Sequence, residues 1–334
     1  MSHSNAWSNP SAVSAEDAAR MAAFLEDRAR CPDQVQVNTA VRDALILRSG
    51  ERLLEVGCGS GALCRLIAPA LHPGGEIIGL DIAPDMIAAA RRFAAQATIP
   101  DVAAHPERRP VGFAGHSRRT RLAPTRFSLL RLRSGPNPAR ASLTRNAPAP
   151  PADEGPGKPV ALRFEVGPAE ALPFDAASFD AAFAARLLLH VDDPRAIVRE
   201  MARVVRPGGR IVLMDWDWGT LAVDHTDRAL TRRLMDWRCD NHGGDNWSGR
   251  KLLGYALAAG LTKVTVTPVV TLAHDATAAL TGSIFRAAEV ARNGGAITPA
   301  EHDAWVADLK QRLAEGRFVA SLVYFVARGE VGGK

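Results

Sequence analysis

Two carboxylates, each at the end of an apolar run, flank a glycine-rich stretch in the first third of the chain. Glu55 precedes residues 57–61, Gly-Cys-Gly-Ser-Gly, and Asp81 closes the run Ile-Ile-Gly-Leu at 77–80. Glycines permit positive φ and close approach of the backbone to a ligand. A helix that follows them offers free N–H groups at its start. A carboxylate at the tip of the next strand is placed to bind a ribose diol.

The spacing of this stretch allows two classes of nucleotide ligand. Residues 57–62 fit the G-x-G-x-x-A pattern of dinucleotide sites, with Asp81 twenty positions after Gly61. Glu55, however, would repel a pyrophosphate and could accept a hydrogen bond from an ammonium group. A ligand with an amino-acid head and an adenosine tail therefore suits the residues better than a dinucleotide.

The elements that must position these residues alternate along the chain. Apolar periodicity predicts helices at 15–30 and 33–47, a strand from Arg52, a strand at 77–80 and a helix at 86–95. Further along it predicts strands at 160–166, 179–184 and 210–215, with a helix at 193–205. Helices at 251–259, 276–293 and 299–314 and strands at 263–272 and 318–327 complete the pattern. Thr298 and Glu301 form a capping-box signature. Strands separated by helices predict a parallel, doubly wound sheet.

A glycine-rich motif and five further motifs, in order, carry a family resemblance. The stretch 55–61 resembles motif I of the class I S-adenosylmethionine-dependent methyltransferases. It is followed by Leu-Asp at 80–81, Ala-Glu-Ala-Leu-Pro-Phe at 169–174, Ser-Phe-Asp at 178–180, Leu-Leu-His-Val at 188–191 and Arg-Pro-Gly-Gly at 206–209. Together they resemble the ubiquinone/menaquinone-biosynthesis branch and related small-molecule enzymes. The resemblance is close over roughly 40–97 and 160–220, and loose over the C-terminal third.

The resemblance implies a Rossmann-like α/β fold with a mostly parallel seven-stranded sheet and a C-terminal antiparallel hairpin. Residues 1–14 are expected to be a disordered tail and 15–50 an N-terminal helical cap. The methyltransferase domain is expected to cover 51–334, with 216–260 and 276–314 as substrate-side elements. A Pro/Arg-rich insertion at 97–159 interrupts it.

The resemblance also implies the contacts of an S-adenosyl-L-methionine cofactor. Glu55 and the backbone at Gly57, Cys58, Gly59 and Gly61 would hold the methionine end, and Asp81 the ribose hydroxyls. Ile82 and Met86 would flank the adenine. Where the family usually has Gly-Asp-Ala after strand 3, this chain has Gly-Pro-Ala at 167–169. The Ala169 N–H could still donate to the ring, and Glu170 could replace the carboxylate that Pro168 lacks.

Four residues near the ends of strands 4 and 5 are candidates for contact with the sulfonium end of the cofactor or for catalysis. Ala184 and Arg186 are expected near the sulfonium, where Arg186 would pair with the methionine carboxylate or cap a helix. His190 aligns with a histidine common in this branch and would be a general base or a structural, hydrogen-bonded residue. Asp215, with Asp217, is expected to face the ligand crevice and is the second catalytic candidate.

An aromatic and histidine-rich stretch follows strand 5. It could line an aromatic substrate pocket, or it could be ordinary packing. Its members are Trp216, Trp218, His225, Trp237, His242 and Trp247.

Charge is concentrated in one segment of the chain. Residues 101–160 hold ten Arg and one Lys against two Asp and two Glu, an excess of +7, whereas the whole chain has a net charge of +5. Proline and arginine without periodicity predict a disordered insertion. The alternative is an arginine-rich segment that binds RNA or another anionic surface.

Composition limits the remaining choices. The four cysteines show no paired spacing, and we find no secretory signal and no apolar run long enough to span a bilayer. A cytoplasmic protein is therefore expected, with no metal. The favoured function is methyl transfer to a small, cyclic or aromatic metabolite by in-line displacement. A nucleic-acid methyltransferase using the basic insertion and a catalytically inactive cofactor-binding protein are the alternatives, and nucleic acid is not the expected partner.

Overall fold

A seven-stranded sheet organises the residues that this computed structural model describes, which are 14–96, 158–241 and 243–333. The strands are β1 (Arg52–Val56), β2 (Glu76–Asp81), β3 (Ala161–Val166), β4 (Phe179–Ala185), β5 (Val205–Val223), β6 (Leu261–Ala273) and β7 (Ala320–Val331). Their order in the sheet is β3-β2-β1-β4-β5-β7-β6. β1 to β5 are parallel to one another, and β7 runs antiparallel between β5 and β6.

Nine α-helices occur within these described ranges, and local sequence signals set several of their starts. Ser14 accepts the Asp17 N–H at 3.1 Å before the first helix. The capping box predicted at Thr298 and Glu301 is present before the last. The helices are α1 (Ala15–Arg30), α2 (Pro32–Leu45), α3 (Ala62–Ile67), α4 (Pro84–Gln96), α5 (Pro194–Val204), α6 (Arg228–Asn241), α7 (Ser248–Ala258), α8 (Ala279–Asn293) and α9 (Pro299–Ala314).

Apolar side chains from the parallel strands fill two cores, one on each face of the sheet. On β1, Leu53 joins one cluster and Leu54 the other, as alternation along a strand requires. The first core includes residues of α2, α3 and α8, and the second includes residues of α5 and α7. Helices therefore cover both faces, and the carboxyl ends of the parallel strands form the edge where ligands bind in such sheets.

The fold class predicted from the sequence is confirmed: the sheet is doubly wound, mostly parallel and finished by antiparallel strands. Two elements differ from the prediction. β5 continues to Val223 instead of ending at Asp215, and α6 occupies a stretch for which no helix was predicted. Residues 1–13 and 97–157, which carry the tail and nearly all of the proposed insertion, lie outside the described residues, so those two predictions stay open.

Candidate functional site

A cavity of about 960 Å³ lies at the carboxyl ends of β1, β2 and β4. α1, α6 and α8 contribute to its walls, so strand ends and helices enclose it together. It brings together most of the residues selected from the sequence. Those that line it are Glu55, Gly57, Cys58, Gly59, Asp81, Ile82, Met86, Ala169, Glu170, Arg186 and His190.

Glu55 brings a buried carboxylate to the cavity wall at the end of β1. Only 3% of the residue is exposed, and the Cys64 thiol donates to its Oε2 at 2.8 Å. Burial raises the pKa of Glu55 to about 7, against the opposing hydrogen bond from Cys64 and the positive charge of Arg186. A carboxylate so enclosed gains most from a cationic partner, such as the ammonium group of an amino acid.

Asp81 is fixed by backbone donors on both of its oxygens. The Gly59 N–H donates to Oδ2 at 2.8 Å and the Ala83 N–H to Oδ1 at 3.0 Å. Burial nevertheless raises its pKa, because these bonds and a further one from the Ile82 backbone only partly offset the loss of water. Each carboxylate oxygen can accept more than one hydrogen bond, so Asp81 can still bind a pair of hydroxyl groups.

The glycine loop, residues 57–61, packs tightly against both α1 and β3. At Gly59, with φ of 52°, a Cβ would lie 2.8 Å from Leu25 Cδ1 of α1. At Gly61, with φ of 73°, a Cβ would lie 2.5 Å from the Phe164 ring. The Ser60 hydroxyl donates to Glu26 of α1 at 2.7 Å. α1 therefore packs directly on the loop, and Gly61 serves packing against β3 and does not line the cavity.

The rim beyond β2 and β3 has the features expected around an adenine ring. Ile82 is 55% exposed, whereas Met86 is buried against Ala18 of α1. Ala169 and Glu170 line the same region, and Pro168 is exposed outside the lining. The structure thus leaves Glu170 as the carboxylate near the place where the family usually has aspartate.

Arg186 holds an unusual backbone conformation just after β4. Its φ is 59°, and its N–H donates to the Met214 carbonyl at 2.7 Å. Nη2 donates to Asn38 Oδ1 of α2 at 3.1 Å, while Nη1 is buried with no acceptor among the described residues. Burial, aided by the charge of Arg28, lowers its pKa to about 10. The side chain thus bonds to α2 rather than capping a helix, and it stays cationic at neutral pH.

His190 lies on the cavity wall, in a short 3-10 helix that covers Leu188–His190. Burial lowers its pKa to about 4, and the positive charge of Arg28 contributes to the decrease. The imidazole is therefore neutral at physiological pH. A neutral imidazole can accept a proton, but a pKa of about 4 makes it a weak base, since a general base works best with a pKa near the operating pH.

Ala184 and Asp215 are not among the residues that line the cavity. Ala184 packs in the second core, and its neighbour Ala185 lines the cavity instead, because successive strand residues face opposite sides. Asp215 is fully buried, accepts from the Ser248 hydroxyl at 2.7 Å, and has its pKa raised to about 7 by burial. The expectation that Asp215 and Asp217 face the crevice fails because successive strand residues face opposite sides, and Trp216 and Trp218 of β5 take the cavity side.

Half of the aromatic stretch reaches the cavity. Trp216, Trp218 and Trp237 line it. His225 instead stacks on Trp305, with ring centroids 5.2 Å apart, and Trp247 packs against Gly219. His242 lies outside the described residues.

Several cavity residues were not selected from the sequence. They come from helices and strands far apart along the chain, and no local motif marks them. They are Arg28, Gln34, Asn38, Arg238, Arg286 and Tyr324. The Gln34 amide and the Arg28 guanidinium both donate to the Tyr324 hydroxyl, at 3.1 and 3.4 Å, so α1, α2 and β7 meet here.

Residues 14–96, 158–241 and 243–333 hold no cluster of three or more metal-ligating side chains. Among the same residues, no helix is both long and apolar enough to cross a membrane.

The chain matches a family model described as a methyltransferase domain over residues 24–266, more than half of its length. An uncharacterised protein in a transposon of Streptomyces fradiae is 27% identical over 304 residues, 91% of this chain and 69% of that protein. The 2-methyl-6-phytyl-1,4-hydroquinone methyltransferase of Synechocystis is 32% identical over 80 residues, 23% of this chain and 25% of that enzyme. Matches to two fungal O-methyltransferases likewise span only about a fifth of their length.

Solved structures share the fold. Phosphoethanolamine N-methyltransferase 2 of Haemonchus contortus, in complex with S-adenosyl-L-methionine, superposes with a TM-score of 0.50 at 12% identity. The superposition covers 98% of this chain and 60% of that chain. At this identity the likeness concerns the fold alone.

Proposed function

Since this chain belongs to the methyltransferase-domain family, we propose that it transfers a methyl group from S-adenosyl-L-methionine to a small, cyclic or aromatic metabolite. The observation that carries the proposal is one cavity that joins Glu55 and Asp81 to a wall of tryptophans. The carboxylates suit an amino acid and a ribose, and the indoles suit a flat acceptor. The relative that methylates a hydroquinone supports an acceptor of this class.

The residues present fit the cofactor. In this proposal Glu55 binds the ammonium group, Asp81 binds the ribose diol, and the loop at 57–61 leaves room for the ligand backbone. Ile82 and Met86 flank the adenine, with Ala169 and Glu170 at its edge. Arg186, whose Nη1 has no acceptor in the described structure, binds the methionine carboxylate.

The chain's own contribution to catalysis is alignment and exclusion of water. The cofactor supplies an activated methyl group on a sulfonium, whose departure leaves a neutral thioether. The enclosed cavity holds the acceptor close to that methyl group and keeps water out. His190, neutral at physiological pH, accepts the proton of a hydroxyl acceptor, because that proton becomes strongly acidic as the methyl group bonds to the oxygen. We assign no contact with the acceptor to Asp215, which the β5 backbone separates from the cavity.

Two further parts of the proposal concern the chain as a whole. We propose that residues 15–50 form a cap over the cofactor and that 216–260 and 276–314 form the acceptor side. This division agrees with the positions of α1, α6 and α8 around the cavity. A nucleic-acid acceptor has no support among the described residues, since the basic segment on which that alternative depends lies outside them.

Titration calorimetry with S-adenosylhomocysteine tests the proposal. The Asp81→Ala variant should bind this product about 1–3 kcal/mol more weakly than the natural chain, because the ribose hydroxyls and two backbone N–H groups lose their acceptor. Asp43→Ala, which changes the same residue type at an exposed site on α2, is the control. Equal affinities for the two variants, both folded, would contradict the assignment of the cofactor site.

A further inference from the structure

Arg238 is a buried cation on the cavity wall. It belongs to α6, only 7% of it is exposed, and its guanidinium stacks on the Trp218 ring with 3.4 Å between Cζ and the ring centroid. Nη1 donates to Asn246 Oδ1 at 2.7 Å. This amide is the one hydrogen-bond acceptor that Arg238 has within residues 14–96, 158–241 and 243–333, and no carboxylate of those residues forms an ion pair with it.

A guanidinium in this setting lacks the partner that burial normally requires. Desolvation lowers the pKa of Arg238 to about 9, and no neighbouring carboxylate counteracts the effect. Buried charges in proteins are usually paired, because an isolated charge loses its hydration without compensation. An apolar residue at this position would stabilise the fold more than an unpaired arginine does, unless a ligand supplies the missing anion.

The cavity has carboxylates at the strand ends, with Arg186 as the one arginine there among the described residues, and its other arginines lie on the helices. We refer to these two groups as the acidic side and the basic side. The lining carboxylates all lie at the ends of β1 to β4 or just after them, and they are Glu55, Asp81, Asp85, Glu170 and Asp192. Arg28, Arg238 and Arg286 come instead from α1, α6 and α8. In the proposed function the cofactor occupies the strand ends together with Arg186, which leaves Arg238 of α6 for the acceptor.

Other donors on the basic side also lack acceptors. The indole Nε1 atoms of Trp216 and Trp218 are buried without a hydrogen bond among the described residues. The methionine carboxylate does not need Arg238, because Arg186 is the arginine whose charge acts on Glu55, at the methionine end. Arg238 and the indoles are therefore left for the second ligand.

On the premise of the proposed function, we infer that the methyl acceptor carries a carboxylate, which Arg238 binds while Trp218 supports the guanidinium from behind. A carboxylate matches the planar edge of one guanidinium, and a charge-assisted pair of this kind is stronger than a neutral hydrogen bond. The acceptor class is thus a cyclic or aromatic acid. The carboxylate positions the molecule, and a separate nucleophilic group receives the methyl.

A matched pair of ligands tests this inference with the full chain saturated with S-adenosylhomocysteine. Calorimetry compares 4-hydroxybenzoate with 4-hydroxybenzamide, which has the same shape without the charge. The natural chain should bind the acid about tenfold or more tightly than the amide. Arg238→Gln and the second variant Arg238→Met should remove this preference.

The control is Arg232→Gln, which removes a cation from an exposed position of the same helix and should keep the preference. Each variant is first titrated with S-adenosylhomocysteine, whose affinity should be unchanged. Failure of the natural chain to bind this product would overturn the proposed function itself. With normal product binding, the carboxylate assignment alone is overturned if acid and amide bind equally, if neither binds at millimolar concentration, or if the preference survives in both Arg238 variants.

Discussion

The ionised side chain of Glu55 destabilises the unliganded fold, whereas in the proposed function the same charge strengthens cofactor binding. Its pKa is raised from 4.5 to about 7, so the folded chain without ligand holds a proton that the unfolded chain releases. Between those two values the folded state binds more protons than the unfolded state. The free energy of unfolding therefore falls as pH rises from about 4.5 to 7, and the deficit persists above that range.

Glu55→Gln should remove this deficit. We expect the unliganded variant to gain on the order of 1–3 kcal/mol of unfolding free energy at pH 8 relative to the natural chain, with little difference at pH 4.5. Urea unfolding at both pH values measures the change. The same variant should bind S-adenosylhomocysteine more weakly at pH 8, because the ammonium group loses its counter-charge.

Glu76→Gln provides the control for this pH dependence, since Glu76 begins β2 and pairs with Arg52 at 2.6 Å away from the glycine loop. A stability difference for Glu55→Gln that is the same at both pH values would rule out the buried carboxylate as the source of the deficit.

The positions of residues at strand ends could be predicted from the sequence. Glu55 and Asp81 lie on the cavity as expected, because they sit at the carboxyl ends of parallel strands. The prediction for Ala184 was wrong by one position, since Ala185 lines the cavity instead. Periodicity predicts the strand but not which face each residue takes. Arg238 could not be predicted from the sequence. That no carboxylate lies beside it among the described residues becomes visible only once α6 is packed in the fold.

α1 is the element that packs over the glycine loop. Glu26, 7% exposed, accepts from the Ser60 hydroxyl and forms an ion pair with Arg65 of α3. Because α1 and the loop both line the cavity, we expect this contact to loosen when a ligand bound there leaves. The Glu26 carboxylate should therefore slow the release of cofactor and product.

Glu26→Gln should raise the dissociation rate of S-adenosylhomocysteine about tenfold, because it replaces a buried charge-assisted contact with a neutral one. Stopped-flow displacement by excess S-adenosylmethionine measures this rate. Asp27→Asn removes the same charge from the adjacent, exposed position of α1 and should leave the rate unchanged. Identical rates for both variants would show that α1 does not control release.

Element boundaries were predictable where one periodicity dominates. The helix predicted at 15–30 and the one at 299–314 match α1 and α9 residue for residue. α6 was missed because its buried residues, which include Arg238 and Cys239, are mixed with exposed arginines and aspartates. The extension of β5 was missed because tryptophan alternates there with buried aspartate, so the usual contrast between apolar and exposed polar positions is absent.

The chain as a whole is interrupted between α4 and β3 by residues 97–157, outside the described structure. Their composition predicts that they contribute nothing to the core. Replacing 97–159 with a Gly/Ser linker should leave the melting temperature and the affinity for S-adenosylhomocysteine almost unchanged. Differential scanning calorimetry and titration measure both.

A fall of many degrees in melting temperature would show that the segment stabilises the fold. RNA binding by the full chain that disappears in the linker variant would instead favour the nucleic-acid alternative.

In the proposed function, one face of β5 contacts the acceptor and the other face holds α7 in place. Trp216 and Trp218 line the cavity, while Asp215 bonds Ser248 at 2.7 Å and Asp217 bonds Arg250 at 2.8 Å, both at the start of α7. Substitutions on the tryptophan face can reshape the acceptor wall without disturbing the anchor of α7. Natural or laboratory-selected variants can therefore change acceptor specificity through substitutions at Trp216 and Trp218. The alternating Asp215 and Asp217, which hold α7, stay constant.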